Sequence, residues 1–198
     1  MPPDSPFRPI LIAGIVVIMA ITAYHRIRSL ASGEKLDRRK EGVFMLATLR
    51  PAGAAMWGSL IAYMINPASM DWSSMPLPLW LRWTGAGVCA VTAAFLFWTL
   101  HSLGTNLTDT VVTRQQHTLV TRGPYRWIRH PFYDALALIT VAVFLLAANW
   151  FMLASGIVVF VLLAVRSRVE EEQLAARFGE AYRAYQRRTG RFLPRLRL

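Results

Sequence analysis

Cysteine is nearly absent from this chain. Of 198 residues only Cys89 is a cysteine, and it lies inside an apolar run. An intrachain disulfide is therefore excluded. One cysteine and four scattered histidines give no metal-ligand spacing, so no metal is expected. A glycine-rich phosphate loop is missing, as is any alternation of strand and helix patterns, which excludes a dinucleotide-binding fold. Charge is scarce too. Only 17% of residues are charged while 55% are hydrophobic, and the mean hydropathy is +0.36. A water-soluble domain is less apolar than this, so the composition points to an integral membrane protein. No internal repeat or low-complexity tract is visible.

What charge there is has a strong bias. The formal net charge is +11. The basic residues lie beside apolar spans, where they orient the chain and meet anionic lipid. Nucleic acid is therefore not expected as a partner. Five apolar spans can be read: about 9–24, 43–65, 79–103, 132–147 and 150–165. Arg50-Pro51 interrupts the second early, predicting a kink or a late helix start. The last two are joined by Ala148-Asn149 and read as a short helical hairpin. Each is somewhat shorter than the roughly 20 residues a bilayer core needs. Only Arg8 precedes the first span as a basic residue and no small-residue cleavage site follows it, so a transmembrane helix fits better than a signal peptide. Lys and Arg concentrate in the first loop, the central loop and the tail; only Arg8, Arg50 and Arg82 fall elsewhere. The expected topology is a multi-pass inner-membrane protein with its N-terminus outside and its C-terminus in the cytoplasm. Ala54 with Gly58, and Ala86 with Ala90, have helix-packing spacing.

Two polar stretches stand out. The first, from His117 to Tyr133, holds His117, His130, Arg122, Arg126 and Arg129, broken by Gly123, Pro124 and Pro131. It reads either as one wall of a site or as a basic loop that sets topology. The second is the tail. Glu170-Glu171-Glu172 precede Leu174, Phe178, Tyr182 and Tyr185 at helical spacing, with arginines between. Acids at the start and arginines at the end suit a helix dipole, and Gly190 ends the pattern. A surface helix on anionic lipid is the plain reading. Three consecutive acids would be repelled there, and the central arginines can partner them instead.

Together these stretches resemble the isoprenylcysteine carboxyl methyltransferase and phospholipid methyltransferase superfamily. The matching residues are Leu103-Gly104, Asn106, His117, Leu119-Val120, Gly123-Pro124-Tyr125, Arg129-His130-Pro131 and Tyr133. After the hairpin come Arg166, Glu170-Glu171, Leu174, Phe178-Gly179, Tyr182, Tyr185 and Phe192-Leu193-Pro194. The match covers roughly the C-terminal half. One departure is Ala135, preceded by Asp134, where the family pattern usually has glycine. The resemblance implies an all-α single domain, 1–198. Three spans (1–102) precede a cofactor-binding core (103–198) of central loop, hairpin and cytoplasmic amphipathic helix. It also implies S-adenosylmethionine as methyl donor, a lipophilic acceptor from the bilayer, and donor-binding residues His117, Leu119, Val120, Gly123, Tyr125, His130, Glu170 and Glu171.

The residue types suit that chemistry. A sulfonium donor supplies the reactive methyl, and the protein supplies position and electrostatics. Glu170 and Glu171 can take the donor's ammonium and ribose hydroxyls. Tyr125, Tyr133 and Trp127 offer aromatic faces. His117, backbone N–H groups or an arginine can hold its carboxylate. A carboxylate acceptor is already a nucleophile and needs a cation, for which Arg129 or Arg166 fits. An amine or thiol must lose a proton, which points to His130 or a glutamate as base. Arg129, His130, Arg166 and Tyr133 are thus the candidate catalytic residues. Arg129 has a plainer role open to it, pairing with Glu170 or Glu171. Three functions remain open at this point: carboxyl O-methylation of an isoprenylcysteine-like lipid, N-methylation of ethanolamine lipids, and non-enzymatic binding of anionic lipid.

Overall fold

The computed structural model describes residues 6–30, 45–104 and 118–195. Its elements are helical: α1 (Phe7–Leu30), a π-helical turn Met45–Leu49, α2 (Arg50–Ile65), a 3-10 turn Pro67–Ser73, and α3 (Leu79–Leu103). A second 3-10 turn, Gly123–Arg126, precedes α4 (Pro131–Ala147), α5 (Trp150–Phe178) and α6 (Glu180–Arg188). Among the described residues, three stretches are long and apolar enough to cross a membrane: Phe7–Ser29, Leu79–Leu103 and Trp150–Phe178. Pro131–Ala147 is shorter and also apolar.

Local chemistry sets the boundaries. Pro51 sits in the first turn of α2, where a missing N–H costs nothing, and the preceding residues wind into the π turn. Pro131 opens α4 in the same way. The α4–α5 turn is tight. Ala148 adopts a left-handed conformation, and Asn149 caps α5 by accepting from Met152 N–H at 3.2 Å. The Asn149 amide also donates to Met70 O (3.1 Å) and Ser73 Oγ (2.8 Å), fixing the proline-rich loop onto the turn.

The helices alternate in direction. Arg8, at the start of α1, donates to Met64 O and Ile65 O at the end of α2. Arg82, near the start of α3, donates to Leu146 O at the end of α4 at 2.6 Å. Two of the three arginines outside the basic loops therefore neutralise helix C-termini, where partial negative charge collects. Leu11, Ile15, Leu60, Leu96, Leu100, Ala142 and Leu146 form the core between the helices.

Three expectations are corrected. The last hairpin is not short in its second arm. Helix α5 continues unbroken from the apolar segment through Glu170–Glu172 to Phe178, because no glycine or proline interrupts it and Arg166 pairs with Glu170 one turn on. The acids therefore sit mid-helix and not at a helix start. The break comes at Gly179, at φ +55°, and only α6 is the short amphipathic tail helix. Thirdly, Ala54 and Gly58 are exposed, and among the described residues nothing lies within 4 Å of where a Cβ on Gly58 would stand. Close helix contact occurs instead at Gly85 against Leu145 and at Gly156 against Thr140.

Candidate active site

The polar island and the long arm of α5 meet at one end of the bundle. The 3-10 turn at Gly123–Arg126 folds back toward α3: Gly123 (φ +60°) lies so close to Ser102 that a Cβ would fall 2.0 Å from its Oγ. The chain then runs out as Trp127–His130. Here the C-terminal segment pairs with it in parallel, joining Ile128 to Gly190. Arg129 N–H donates to Gly190 O at 2.9 Å and His130 N–H to Arg191 O at 3.1 Å. This strap brings residues about 60 positions apart against the same pair of glutamates.

Glu171 is the centre. Its carboxylate is 5% exposed as a residue and accepts from four side chains. Oε1 receives Arg129 Nε (2.8 Å) and Arg191 Nε (3.2 Å), with His130 Nε2 at 3.2 Å. Oε2 receives Arg191 Nη2 (2.6 Å) and Gln186 Nε2 (3.4 Å). A carboxylate has about four lone-pair sites, so Glu171 is saturated. Burial alone would raise its pKa. The hydrogen bonds from His130, Arg191 and Arg129 outweigh that and hold the carboxyl well below the usual range. Arg129 is equally engaged, since Nη1 also donates to Gln186 O and Thr189 O.

Glu170 differs. Oε1 accepts from Tyr133 OH (2.7 Å) and forms an ion pair with Arg166 Nε (3.0 Å), while Oε2 has His130 Nδ1 at 3.7 Å, beyond hydrogen-bond range. One oxygen of Glu170 thus keeps acceptor capacity. His130 lies between the two acids and stacks on Tyr133, with centroids 5.3 Å apart and planes 9° apart. Phe192 closes the other side of His130 at 5.8 Å. Three arginines (Arg129, Arg166, Arg191) face two glutamates, leaving this group one unit positive when His130 is neutral.

Of the residues expected from sequence, Arg129, His130, Tyr133, Arg166, Glu170 and Glu171 come together. Tyr125 is buried beside them, and its carbonyl accepts from Tyr185 OH at 2.6 Å. Its phenol pKa is pushed up by burial, with Tyr185 and Glu170 adding to the effect. Leu119 and Val120 are half-buried, and no polar contact ties them to the glutamates. His117 and Asn106 lie outside the described residues. Trp127 points outward, against Trp98 (5.8 Å) and under the Arg126 guanidinium (4.6 Å). His25 and His101 meet each other and Phe97 at the ends of α1 and α3, apart from this cluster. Arg191, Gln186 and Thr189 were missed by sequence reasoning. Their only signal was a position after the Tyr182/Tyr185 pattern. Among the described residues no three His, Cys, Asp or Glu side chains gather as a metal site.

The arrangement can hold a cationic group at Glu170 and an anion at the excess positive charge. The stacked His130 and Tyr133 rings offer a flat surface between them.

Comparison with known proteins gives a consistent picture. Residues 85–176 match the model of the isoprenylcysteine carboxyl methyltransferase (ICMT) family. The chain is 30% identical over 143 residues to a methanethiol S-methyltransferase of Mycobacterium tuberculosis, covering 63% of this chain and 56% of that protein. It is 29% identical over 122 residues to a protein-S-isoprenylcysteine O-methyltransferase of Tribolium castaneum, covering 58% and 42%. The chain thus spans about half the length of these curated relatives. The solved structure of the eukaryotic intramembrane Ras methyltransferase ICMT superposes with a TM-score of 0.58 at 21% identity. The superposition covers 97% of this chain and 69% of that one, so the fold is shared. Over residues 85–176, a range that holds the first polar stretch and reaches Glu170–Glu172 of the second, the chain is similar to the ICMT family.

Proposed function

We propose that the protein is an integral membrane enzyme with five spans that uses S-adenosylmethionine to O-methylate the carboxylate of a lipophilic acceptor at the cytoplasmic face. The observation that carries this is the cluster around His130: three arginines converge on two glutamates at the foot of an apolar helix bundle. The donor, when bound, supplies an electrophilic methyl on sulfur. The residues fit it. Glu170 Oε2 can take its ammonium or a ribose hydroxyl, and the His130–Tyr133 stack can lie against its cationic or aromatic part. Glu171, already saturated, serves instead to position Arg129, His130 and the strap. Arg129 is held in the same network, so Arg166 is the cation assigned to the acceptor. The one-unit positive excess favours an anionic acceptor over an ethanolamine headgroup. A carboxylate needs no base, and His130 then positions Glu170 and Tyr133. A thiol acceptor is the second reading, favoured by the methanethiol-methylating relative.

The deciding assay is transfer of labelled methyl from the donor to a panel of lipophilic carboxylates, ethanolamine lipids and small thiols. Label on carboxylates, released by mild base as methanol, is the expected result. Label confined to lipid amines, or no donor binding at all, would overturn the reading.

Topology can be tested separately. Ser73, in the outer loop, is completely buried, so it is a poor reporter; Ser69 and Arg188 are exposed. Cysteines placed at Ser69 and Arg188 should react with an impermeant thiol reagent from opposite sides of oriented vesicles. Labelling of both from one side would sink the five-span arrangement.

A further inference from the structure

The turn that carries the polar island has two faces. Pro124, Tyr125, Ile128 and His130 are buried, while Arg122, Arg126 and Trp127 are exposed. Trp98 of α3 joins the outer face, 45% exposed beside Trp127 at 42%. The two indoles meet edge to face at 5.8 Å, and the Arg126 guanidinium covers the Trp127 ring at 4.6 Å. Arg122 Nε donates to Ser102 O at 3.2 Å, one turn along α3 from Trp98. Among the described residues no carboxylate pairs with Arg122 or Arg126, whereas Arg129, Arg166 and Arg191 each pair with a glutamate. Two such cations beside two exposed indoles fit one environment, the headgroup level of an anionic leaflet. Tryptophan settles there because its ring is apolar and its N–H is polar. Arginine finds phosphate at the same depth.

This outer face is tied to the strap through one peptide unit. Trp127 C=O accepts from Gly190 N–H at 3.1 Å, and the next residues, Arg129 and His130, donate their N–H groups to Gly190 O and Arg191 O. Whatever fixes Trp127 at the surface therefore fixes the backbone on which the strap hangs. The strap in turn brings Arg191 to Glu171 and Phe192 against His130. We propose that Arg122, Arg126, Trp127 and Trp98 bind the phosphate of an anionic phospholipid in the cytoplasmic leaflet. The bound lipid pins the strap, so the cluster around His130 is fully assembled only against an anionic leaflet. The inference rests on the proposed placement of this end at the cytoplasmic membrane face, and the class of acceptor does not enter it. Arg168 and Arg183 are exposed as well, but they stand on α5 and α6 and not on the turn. They supply the comparison that separates a site from a general surface charge.

The test is amide hydrogen exchange of the full chain in nanodiscs, with neither donor nor acceptor present. One set of discs holds phosphatidylcholine alone, the other equal parts of phosphatidylcholine and phosphatidylglycerol. The amides of Gly190, Arg129 and His130 report the strap. They should exchange about tenfold more slowly in the anionic discs, because a lipid that binds the closed strap makes its opening rarer. Arg122→Gln combined with Arg126→Gln should abolish the slowing and leave exchange in phosphatidylcholine unchanged. Arg126→Gln alone should cut it to about threefold. Arg168→Gln combined with Arg183→Gln removes the same charge elsewhere and should keep the slowing. Equal exchange in both kinds of disc overturns the proposal. So does a slowing that survives the Arg122/Arg126 pair of changes, or one that both pairs reduce alike. Slowing by sn-glycerol 3-phosphate in phosphatidylcholine discs would mean a site for free phosphate and would overturn the lipid assignment. Because no substrate is present, failure of the methyl-transfer reading leaves these outcomes readable, and a wrong membrane placement shows instead in the labelling of Ser69 and Arg188 positions.

Discussion

Glu171→Gln should lower the melting temperature of the detergent-solubilised protein by about 6–12 °C, while Glu170→Gln leaves it within about 3 °C. The difference follows from what each carboxylate holds. Glu171 is 5% exposed and ties Arg129, Arg191, His130 and Gln186 to one point. Removing its charge leaves Arg129 buried beside a neutral amide, and breaking one partner of a buried ion pair costs about 3–5 kcal/mol. Arg191 is one-third exposed and can turn to water, which places the net loss toward the lower end, about 3 kcal/mol. The Glu170 side chain is 19% exposed against 6% for Glu171 and pairs with Arg166 alone among the arginines, so its amide leaves less buried charge uncompensated and still accepts from Tyr133. Its replacement should instead weaken binding of the demethylated donor product about tenfold to hundredfold, the loss of one charge-assisted bond. The pH dependence has a definite sign. Glu171 is held below its ordinary range, so its contribution is complete above its unfolded value near 4.5 and is lost as pH falls toward the folded value. The wild type should therefore lose melting temperature on acidification below about pH 4.5 faster than Glu171→Gln does. Identical melting of wild type and Glu171→Gln would remove Glu171 from the centre of this end of the fold.

That division of labour between adjacent glutamates could not be read from sequence. Glu170 and Glu171 look equivalent in a string, and both were expected to contact the donor. Being 100° apart around α5 points one toward Tyr133 and Arg166 and the other toward the strap. The strap itself was invisible for a different reason. Gly190 and Arg191 reach Ile128–His130 through backbone hydrogen bonds, and backbone pairing carries no side-chain signature. What was legible rested on strong local chemistry. The α3 boundaries fall at 79 and 103 as expected, the Ala148-Asn149 turn joins two antiparallel helices, and Arg50-Pro51 delays the start of α2. The misplaced end of α5 came from equating the end of hydrophobicity with the end of the helix. Charged residues continue a helix readily when Arg166 and Glu170 pair one turn apart. The Ala54–Gly58 pair misled because spacing marks a face without saying which helix, if any, covers it. Helix α4 does so at Gly85, through Leu145 and Leu146, and at Gly156, through the Thr140 side chain, and at Gly58 none of the described residues does.

Arg166→Gln should reduce single-turnover methyl transfer to a lipophilic carboxylate by about thirtyfold or more, with donor saturating. Taking one partner from a desolvated, hydrogen-bonded charge contact costs about 2–5 kcal/mol. Arg166 lies one turn before Glu170 and pairs with it, at the point where the polar cluster gives way to Val159 and Leu163 of the apolar bundle. The carboxylate of an apolar-tailed acceptor is assigned to that guanidinium because Arg166 borders the apolar cluster, whereas Arg129 Nε and Nη1 are directed to Glu171, Gln186 and Thr189. Arg166→Lys keeps the charge and loses the fork, so it should recover only part of the rate. The loss must appear in turnover and in acceptor KM, with affinity for the demethylated product changed by less than about fivefold. A matching collapse of product affinity would mean that Arg166 merely orients Glu170. The pH profile separates the two acceptor readings in the same experiment. With a carboxylate acceptor the wild-type rate should be nearly flat from about pH 6.5 to 9, since the acceptor is ionised and arginine stays charged throughout. His130→Asn should then be tolerated within about tenfold, because an amide keeps one hydrogen bond to a glutamate. A thiol acceptor must first lose its proton, so its rate would climb through that range. A steep rise that His130→Asn abolishes, with Arg166→Gln nearly silent, would defeat the carboxylate reading and turn the cluster's positive excess into a means of stabilising a thiolate.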